Sequence, residues 1–520
     1  MLLFHLRIVR VLINQIDYDG KLVNLCEGDI YDEDNVFSII IGVNASGKSR
    51  LLAKVCNIFL STKERIKYIY PLSDLSKKKF CREKYISKQY CEIGSIKYKN
   101  NFNDNYIEYS YSNTEVDSYE YSKQKSSDFD VVFKVNDNYC LVDVPEKIIT
   151  VSNSLFDKFP EVLNKELRDF YINKGSSCFN ERYDSKLNLN IIKTRQISNS
   201  ILNLVVSKYD FIEDVLYSLN IECNLEFKLK LKLKTSNSSR GEMYNIDNTI
   251  LSLIKFKYDR NNELLMMKKI RNHFQLFLAL CYGRGDIHNL KFDYKKEFEN
   301  KDIIFKYNKN DKNEDLLEAV RELLSIGLIS VNDVLFCSGR NKVSVSEKSS
   351  GELCYLHMVT AISSEIKNNS IILIDEPELS LHPRWQSEFI PFIQKLFKKY
   401  KGCHFICATH SPHIVSSLSG NNTFVTNISY KPLVPIKGTD VHHKSMDYQI
   451  SRVFGMDNPN NEYLIRIALN LFTYISKYKM LNDEKREEYK FLLDISEHMD
   501  KSSPLYDLIL TLKEMNEVYG

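Results

Sequence analysis

The 520-residue sequence contains no uninterrupted apolar run long enough to span a bilayer. Its opening, MLLFHLRIVR, is too short and too broken by polar residues for a signal peptide, so a cytoplasmic protein without a membrane partner is expected. A paired cysteine framework is also missing. The 12 cysteines are scattered, which suits free thiols in a reducing compartment. Cys403 and Cys407 lie close together in an apolar run, but no second pair completes the four ligands of a tetrahedral metal site, so they read as core. Surplus charge is scarce: 71 Lys and Arg stand against 68 Asp and Glu, a net charge of +3. Any surface for nucleic acid must therefore be local rather than global. Internal repeats, sustained heptads and long low-complexity tracts are absent too, which excludes a solenoid or a long coiled-coil arm.

What is present begins as strand, turn and helix. Asn35 to Ile41 is a β-branched apolar run that ends at a glycine, and Leu52, Val55, Cys56 and Phe59 then recur at helical spacing. Between about 102 and 130 the chain is rich in Asn, Asp, Ser and Tyr and reads as hairpins or loop. Lys147 to Ser152 reads as a short strand. Leu225, Phe227, Leu229, Leu231 and Leu233 alternate with Glu226, Lys228, Lys230, Lys232 and Lys234, the period of a half-buried strand. Its lysine face reads as a solvated face that blocks edge pairing rather than a nucleic-acid contact. Asp311 to Leu328 reads as an amphipathic helix, and the tail beyond 436 as mainly helical and charged.

Four segments carry chemistry. Gly42-Val43-Asn44-Ala45-Ser46-Gly47-Lys48-Ser49 fits G-x-x-x-x-G-K-[ST] without departure, between an expected strand and an expected helix. A polyphosphate needs a backbone that wraps it, with successive N–H groups pointing inward at a helix N-terminus. Lys48 is expected to neutralise β- and γ-phosphates, and Ser49 to offer its hydroxyl to Mg2+. Ile371 to Glu376 is an apolar strand ending in two acids. Asp375 is expected to hold Mg2+, and Glu376 to accept a proton from the attacking water or polarise it. Ser349-Ser350-Gly351-Glu352 opens a helix; alone it reads as an ordinary helix cap, but its place about 25 residues before the acidic strand makes its turn and helix N-terminus an expected second anion site. Phe405 to His410 is a strand ending in histidine, which places His410 near a γ-phosphate if that strand runs beside the acidic one.

In this order the four segments resemble the ABC/SMC/RecF-like ATPases over about 1–60 and 330–430. Gly42–Ser49 looks like Walker A, Ser349–Glu352 like the signature, Ile371–Glu376 like Walker B with its catalytic glutamate, Glu378–Pro383 like the D-loop and His410 like the switch histidine. The run Asp375-Glu376-Pro377-Glu378-Leu379-Ser380-Leu381-His382-Pro383-Arg384-Trp385-Gln386, followed by Ala408 to Pro412, is typical of the OLD-like, AAA-21 group. Val151 to Pro160 and Gly438 to Gly455 are similar to segments of Septu-type and retron-associated anti-phage defence ATPases. The signature departs from the usual wording in carrying Lys348 in place of leucine and Ser350 in place of the first glycine, which leaves Ser349 and Gly351 to meet the γ-phosphate. No Q-loop glutamine is obvious. Gln89 is one candidate, and Asn153, after the Lys147–Ser152 strand, is the better positional match.

The resemblance implies an α/β P-loop NTPase with an ABC-type head, an α+β insertion between Walker A and signature, and a helical C-terminal region. The expected divisions are 1–60 for the first part of the head, 61–330 for the insertion with a Q-loop-like segment near 147–160, 331–435 for the second part of the head, and 436–520 for a partner-binding tail. It implies Mg-ATP, a head-to-head homodimer or an oligomer of such dimers, and slow hydrolysis that regulates a partner effector. Relatives of this kind pair with a small HNH nuclease and, in some systems, a reverse transcriptase with its RNA–DNA hybrid. Nuclease chemistry is not expected in this chain itself. No D-x-D follows Ser411, and His442-His443 is the sole histidine pair where an HNH site needs clustered His and Asn. Two other readings are a nucleotide-stabilised scaffold that sequesters a toxic effector, and a RecF-like DNA-repair ATPase, for which the basic stretch from Lys77 to Lys88 is the one hint.

Overall fold

The computed structural model describes residues 6–65, 94–99, 104–111, 131–135, 142–175, 189–282 and 302–519, apart from 9, 19, 29, 31–33, 155–156, 163–166, 233–234, 239–240, 245, 258–262, 310–312, 340, 430–432, 456–460, 498, 500 and 502. The Lys77 to Lys88 stretch and Gln89 lie outside the described residues. The chain divides into two compact units, 1–175 with 367–520, and 176–366.

The first unit is built on a seven-stranded sheet. Its order is Tyr171–Asn173, Lys147–Ser152, Ser370–Asp375, His404–Ala408, Val36–Ile41, Thr423–Asn427 and Ile436–Lys437. Every neighbouring pair is parallel except the last. Central strands of a parallel sheet are covered on both faces, so they read as continuous apolar runs rather than alternating ones. Val36–Ile41 and Ser370–Asp375 are buried at every position, as that rule requires. A second, antiparallel sheet runs Lys21–Asn24, Leu12–Tyr18, Gly94–Lys99, Asp104–Tyr111, Val131–Val135.

The helix Lys48–Arg65 shares one apolar core with both sheets. Leu51, Leu52, Val55, Cys56 and Phe59 pack with Ile13, Ile16, Ile96 and Tyr98 of the antiparallel sheet and with Ile40, Ile148, Leu373 and Ile406 of the parallel one. A helix with sheets against it on more than one side is buried nearly all round, and Leu51 to Thr62 are buried without interruption. Three C-terminal helices, Glu462–Tyr478, Asp483–Ser496 and Pro504–Tyr519, enclose a separate core around Leu464, Leu471, Leu492 and Leu512.

The second unit pairs helices with a four-stranded antiparallel sheet in the order Ile303–Asn308, Asn224–Leu231, Ile329–Ser338, Asn341–Ser344. Leu225, Phe227 and Leu229 are buried on one face with Ile303 and Phe305, as the alternation predicts. The opposite face differs from the sequence reading. Asn224–Leu231 is an interior strand, and its charges find partners across the sheet: Lys228 with Asp333 at 3.4 Å, and Glu226 with Lys342 at 2.7 Å. Leu233 and Lys234 lie outside the described residues. The helix Ser350–Glu365 packs against Leu189–Ser207 within this unit, and Lys208 Nζ donates to the carbonyls of Ser363 and Ile366 at its end.

The compact units change over at 175/176 and 366/367. The physical cause is pairing. Lys147–Ser152 lies beside Ser370–Asp375 in register, which ties the segment up to Gly175 into the parallel sheet.

Candidate functional site

In open parallel sheets, ligands bind beyond the carboxyl ends of the strands, where turns and helix N-termini converge. Three strands deliver the chemistry of this chain to one such edge. His404–Ala408 lies between Val36–Ile41, which leads into Gly42–Ser49, and Ser370–Asp375, which ends in the paired acids. Registers align Ala408 with Asp375 on one side and with Ile40 on the other, so the cradle, Asp375 and His410 emerge together.

The cradle is shaped by its small residues. Ala45 and Gly47 have positive φ, 62° and 94°, and a Cβ on Gly47 would collide with the Tyr18 hydroxyl. At Gly42 a Cβ would lie 2.7 Å from Ser46 Oγ and 2.8 Å from Ser429 Oγ. Val43 to Ala45 form its exposed crest, and Ser429 Oγ accepts the Val43 N–H at 2.8 Å. The Lys48 ammonium is buried and donates to the carbonyls of Gly42 at 3.0 Å and Val43 at 3.3 Å, with His410 Nδ1 3.5 Å away. Burial lowers its pKa, opposed by the negative charges of Glu376, Glu378 and Asp375.

Ser49 Oγ donates to Asp375 Oδ1 at 3.1 Å, joining the start of the cradle helix to the end of the acidic strand. Asp375 is 2 % exposed, and its carboxyl is pushed up to about 7, first by burial, against which the Ser49 hydroxyl bond acts, and then by the charges of Glu376 and Glu378, which Lys48 opposes. Glu376 follows with φ 50°, a left-handed conformation for a side-chain-bearing residue, and its N–H donates to the Ala408 carbonyl at 2.9 Å. The His410 imidazole is held below its usual pKa by burial and then by the Lys48 charge, which favours the neutral ring.

Asn153 stands at the end of the strand next to the acidic one, where Ser152 is in register with Asp375. It is 5 % exposed, and neither side-chain atom has a hydrogen-bond partner in the structure. A buried, unsatisfied carboxamide is costly, and such groups mark sites that take a ligand or water. The side-chain oxygens of Ser49 and Asp375 and the carboxamide of Asn153 are hard donors of the kind Mg2+ prefers, with phosphate oxygens and water completing its shell. Among the described residues no group of three or more His, Cys, Asp or Glu could hold a metal ion by itself.

The sequence reading missed Glu378 as more than part of a loop motif. Its carboxylate accepts the Thr409 hydroxyl at 2.7 Å and the backbone N–H of His410 at 2.5 Å. Its pKa is raised, chiefly by burial. The signal available was its place two residues after Glu376, but its partners lie 31 and 32 residues away.

Ser349, Gly351 and Glu352 lie in the other compact unit. Ser349 is the N-cap of the Ser350–Glu365 helix and closes a capping box. Its hydroxyl accepts the Glu352 N–H at 3.3 Å, and Glu352 Oε2 accepts the Ser349 N–H at 3.0 Å. Lys348 Nζ bonds Glu352 Oε1 at 2.8 Å. Burial pushes the Glu352 carboxyl up, but its bonds from Lys348 and Ser349 outweigh that and hold its pKa below the usual value. Cys403 and Cys407 are both buried in the sheet, and burial raises both thiols.

The Retron Ec83 probable ATPase of Escherichia coli is 29 % identical over 114 residues, covering 20 % of this chain and 20 % of that protein. The Septu protein PtuA of Bacillus thuringiensis is 25 % identical over 195 residues, covering 34 % and 47 %. The Endonuclease GajA of Bacillus cereus (strain HuB5-5) is 25 % identical over 349 residues, covering 57 % and 50 %. The chain thus spans half or less of the length of these relatives. Among solved structures, the SmcHead bound to the C-winged helix domain of ScpA overlays with a TM-score of 0.30 at 12 % identity, covering 82 % of this chain and 98 % of that one. No helix among the described residues is long and apolar enough to cross a membrane. The family match runs across the cradle, the Ser349 turn, the acidic strand and His410, from residue 23 to residue 415: the chain belongs to the AAA_15 family, an AAA ATPase domain.

Proposed function

We propose that this chain binds Mg-ATP in the Gly42–Ser49 cradle, hydrolyses it slowly, and uses the γ-phosphate to close two copies head to head. The observation that carries the reading is the 3.1 Å bond from Ser49 to Asp375, with Lys48, Glu376 and His410 at the same sheet edge. Ser49 and Asp375 would hold Mg2+, with Asn153 as an outer partner. Held there, the ion would neutralise negative charge on the phosphate oxygens. Gly42, Asn44, Ala45, Ser46 and Gly47 wrap the phosphates with backbone N–H groups, and Lys48 moves from the loop carbonyls to phosphate oxygens of the same polarity. Glu376 orients and deprotonates the attacking water, and neutral His410 donates to the terminal phosphate.

Ser349 and Gly351 of a second copy cap the γ-phosphate with the hydroxyl, N–H groups and helix N-terminus of the Ser350–Glu365 helix. Glu352 keeps that turn formed through the capping box. Closure therefore depends on the γ-phosphate, and its loss on hydrolysis releases the pair. The relatives named for Septu and retron systems support an anti-phage defence role. In that role this chain would control an effector, a small HNH nuclease first and a reverse transcriptase with its RNA–DNA hybrid second. The C-terminal region is the proposed partner-binding part.

The test is Glu376→Gln. Phosphate release should fall at least ~100-fold, since general-base assistance contributes of that order. Size-exclusion with Mg-ATP should show the variant retained as a dimer. A variant that binds ATP yet gains neither dimer nor nucleotide retention would remove the switch and leave a plain nucleotide binder.

A further inference from the structure

The turn that follows the acidic strand is held in a conformation its own residues disfavour. Glu376 has φ 50° and Ser380 φ 64°, left-handed values for residues that carry a Cβ. Such backbone persists only where the surroundings over-determine it. Here the turn's own bonds, Leu379 N–H to the Glu376 carbonyl at 3.3 Å and Leu381 N–H to the Glu378 carbonyl at 3.0 Å, are joined by restraints from the chain around His410. Glu376 N–H donates to the Ala408 carbonyl at 2.9 Å. Glu378 accepts the Thr409 hydroxyl on Oε2 at 2.7 Å and the His410 N–H on Oε1 at 2.5 Å. Ser411 Oγ donates to Gln386 Oε1 at 2.6 Å, and Gln386 Nε2 ties back to the Leu381 carbonyl at 2.9 Å. The segment 376–386 is thus stitched to 408–411, and Glu378 alone takes the amide of the histidine itself.

The His410 ring sits with Nδ1 3.5 Å from the Lys48 ammonium. It lies beyond the last residue of its strand, Ala408; the sheet's hold ends one residue earlier, where the Thr409 N–H donates to the Ile40 carbonyl at 3.0 Å, and the His410 N–H itself goes to Glu378. We propose that Glu378 is a positioning residue that sets His410 by accepting its backbone N–H, so that the turn after Glu376 and the histidine move as one piece. This rests on the reading of Glu376 and His410 as hydrolytic groups. Glu378 makes its hydrogen bonds to Thr409 and His410 rather than to the cradle, although its charge is felt at Lys48 and Asp375, so its removal should slow turnover far more than it alters ATP binding.

The test uses the full chain as Glu378→Ala, Glu378→Gln, His410→Ala and the E378A/H410A double variant. Single-turnover hydrolysis, mant-ATP affinity and hydrogen–deuterium exchange of peptides covering 404–416 are read for each. Glu378→Ala should slow hydrolysis roughly tenfold or more with Kd within about threefold, and the double variant should be no slower than His410→Ala, because residues acting through one another are not additive. Glu378→Gln should regain most of the rate, since its amide oxygen still accepts the His410 N–H and its amide nitrogen can donate to Thr409 Oγ. Additive losses in the double variant, or a Kd that collapses with the rate, overturn the proposal. Should the alanine variant fail to fold, Glu378→Leu, which keeps the bulk but cannot accept the His410 N–H, carries the same comparison. If the wild type releases no phosphate, the ATPase reading falls, and exchange decides the clamp: faster exchange at 409–411 in Glu378→Ala upholds it and unchanged exchange overturns it.

Discussion

Ser49 and Ser349 each stand at the start of a long helix, in a turn able to face an anion, yet their hydroxyls are used in opposite ways. Ser49 reaches across the fold to Asp375, 326 residues later in the chain. Ser349 is used within its own turn, on Glu352 three residues on. The first site exists only because a sheet aligns distant strands. The second is complete as a local capping motif and exposed, so it gains a further role only when something from outside exchanges with Glu352. A site made by tertiary structure and a site made by local structure should therefore fail differently when altered.

Breaking the cradle should have the largest effect. Gly47→Ala imposes a positive φ on a residue with a Cβ and drives that Cβ into the Tyr18 hydroxyl. Left-handed strain alone costs about 1–3 kcal/mol, so ATP affinity should fall by about tenfold to a hundredfold or more in a mant-ATP titration. Unchanged affinity would mean the cradle tolerates a wider backbone than the structure allows.

A second change probes the strand that carries His410. The buried His404 ring accepts the Ile13 N–H on Nδ1 at 3.2 Å, so Nε2 carries the proton and donates to Ser38 Oγ at 2.8 Å. Ser38 in turn donates to the Leu25 carbonyl. Burial, aided by the Arg10 charge, pushes the ring pKa down to about 3 from 6.5. Between those values the unfolded chain binds a proton that the folded chain does not, so stability rises with pH there. The contribution is fully present above about pH 6.5 and is lost as pH falls towards 3. His404→Gln should lower stability at neutral pH by roughly 1–3 kcal/mol for the broken network, and Tm should fall less steeply than wild type on acidification from 6.5 to 4. Parallel Tm–pH curves for the two proteins would refute the buried neutral ring.

The smallest effect sharpens the comparison most. Ser349→Ala removes an N-cap, which costs typically about 1 kcal/mol of local stability. ATP affinity of the separated chain should be unchanged, while ATP-dependent dimer formation in the Glu376→Gln background should weaken. A fall in the affinity of the separated chain would place this turn at its own chain's nucleotide and remove the contrast.

Contiguous patterns were readable from sequence. Gly42–Ser49, Ile371–Glu376 and Phe405–His410 are each a short run whose local period and end residues declare strand and turn, and all three meet at one edge. The helix read as Asp311–Leu328 is Glu314–Ser325 with Asn313 capping it. What depends on distant partners was not readable. Nothing local in Lys147–Ser152 says that it lies in register beside Ser370–Asp375. The lysines of Asn224–Leu231 alternate as a solvated face should, but Asp333 and Glu226 are placed beside them and beside Lys342 only by strand pairing. Glu378 gave no sign of its bonds to Thr409 and His410 for the same reason.

Between Leu51 and Thr62 the helix that begins at Lys48 is buried among apolar side chains of two sheets, so tilting it would disturb both at once. Movement at its phosphate-facing tip meets less resistance in the turns that hang from the strand ends than in that rod.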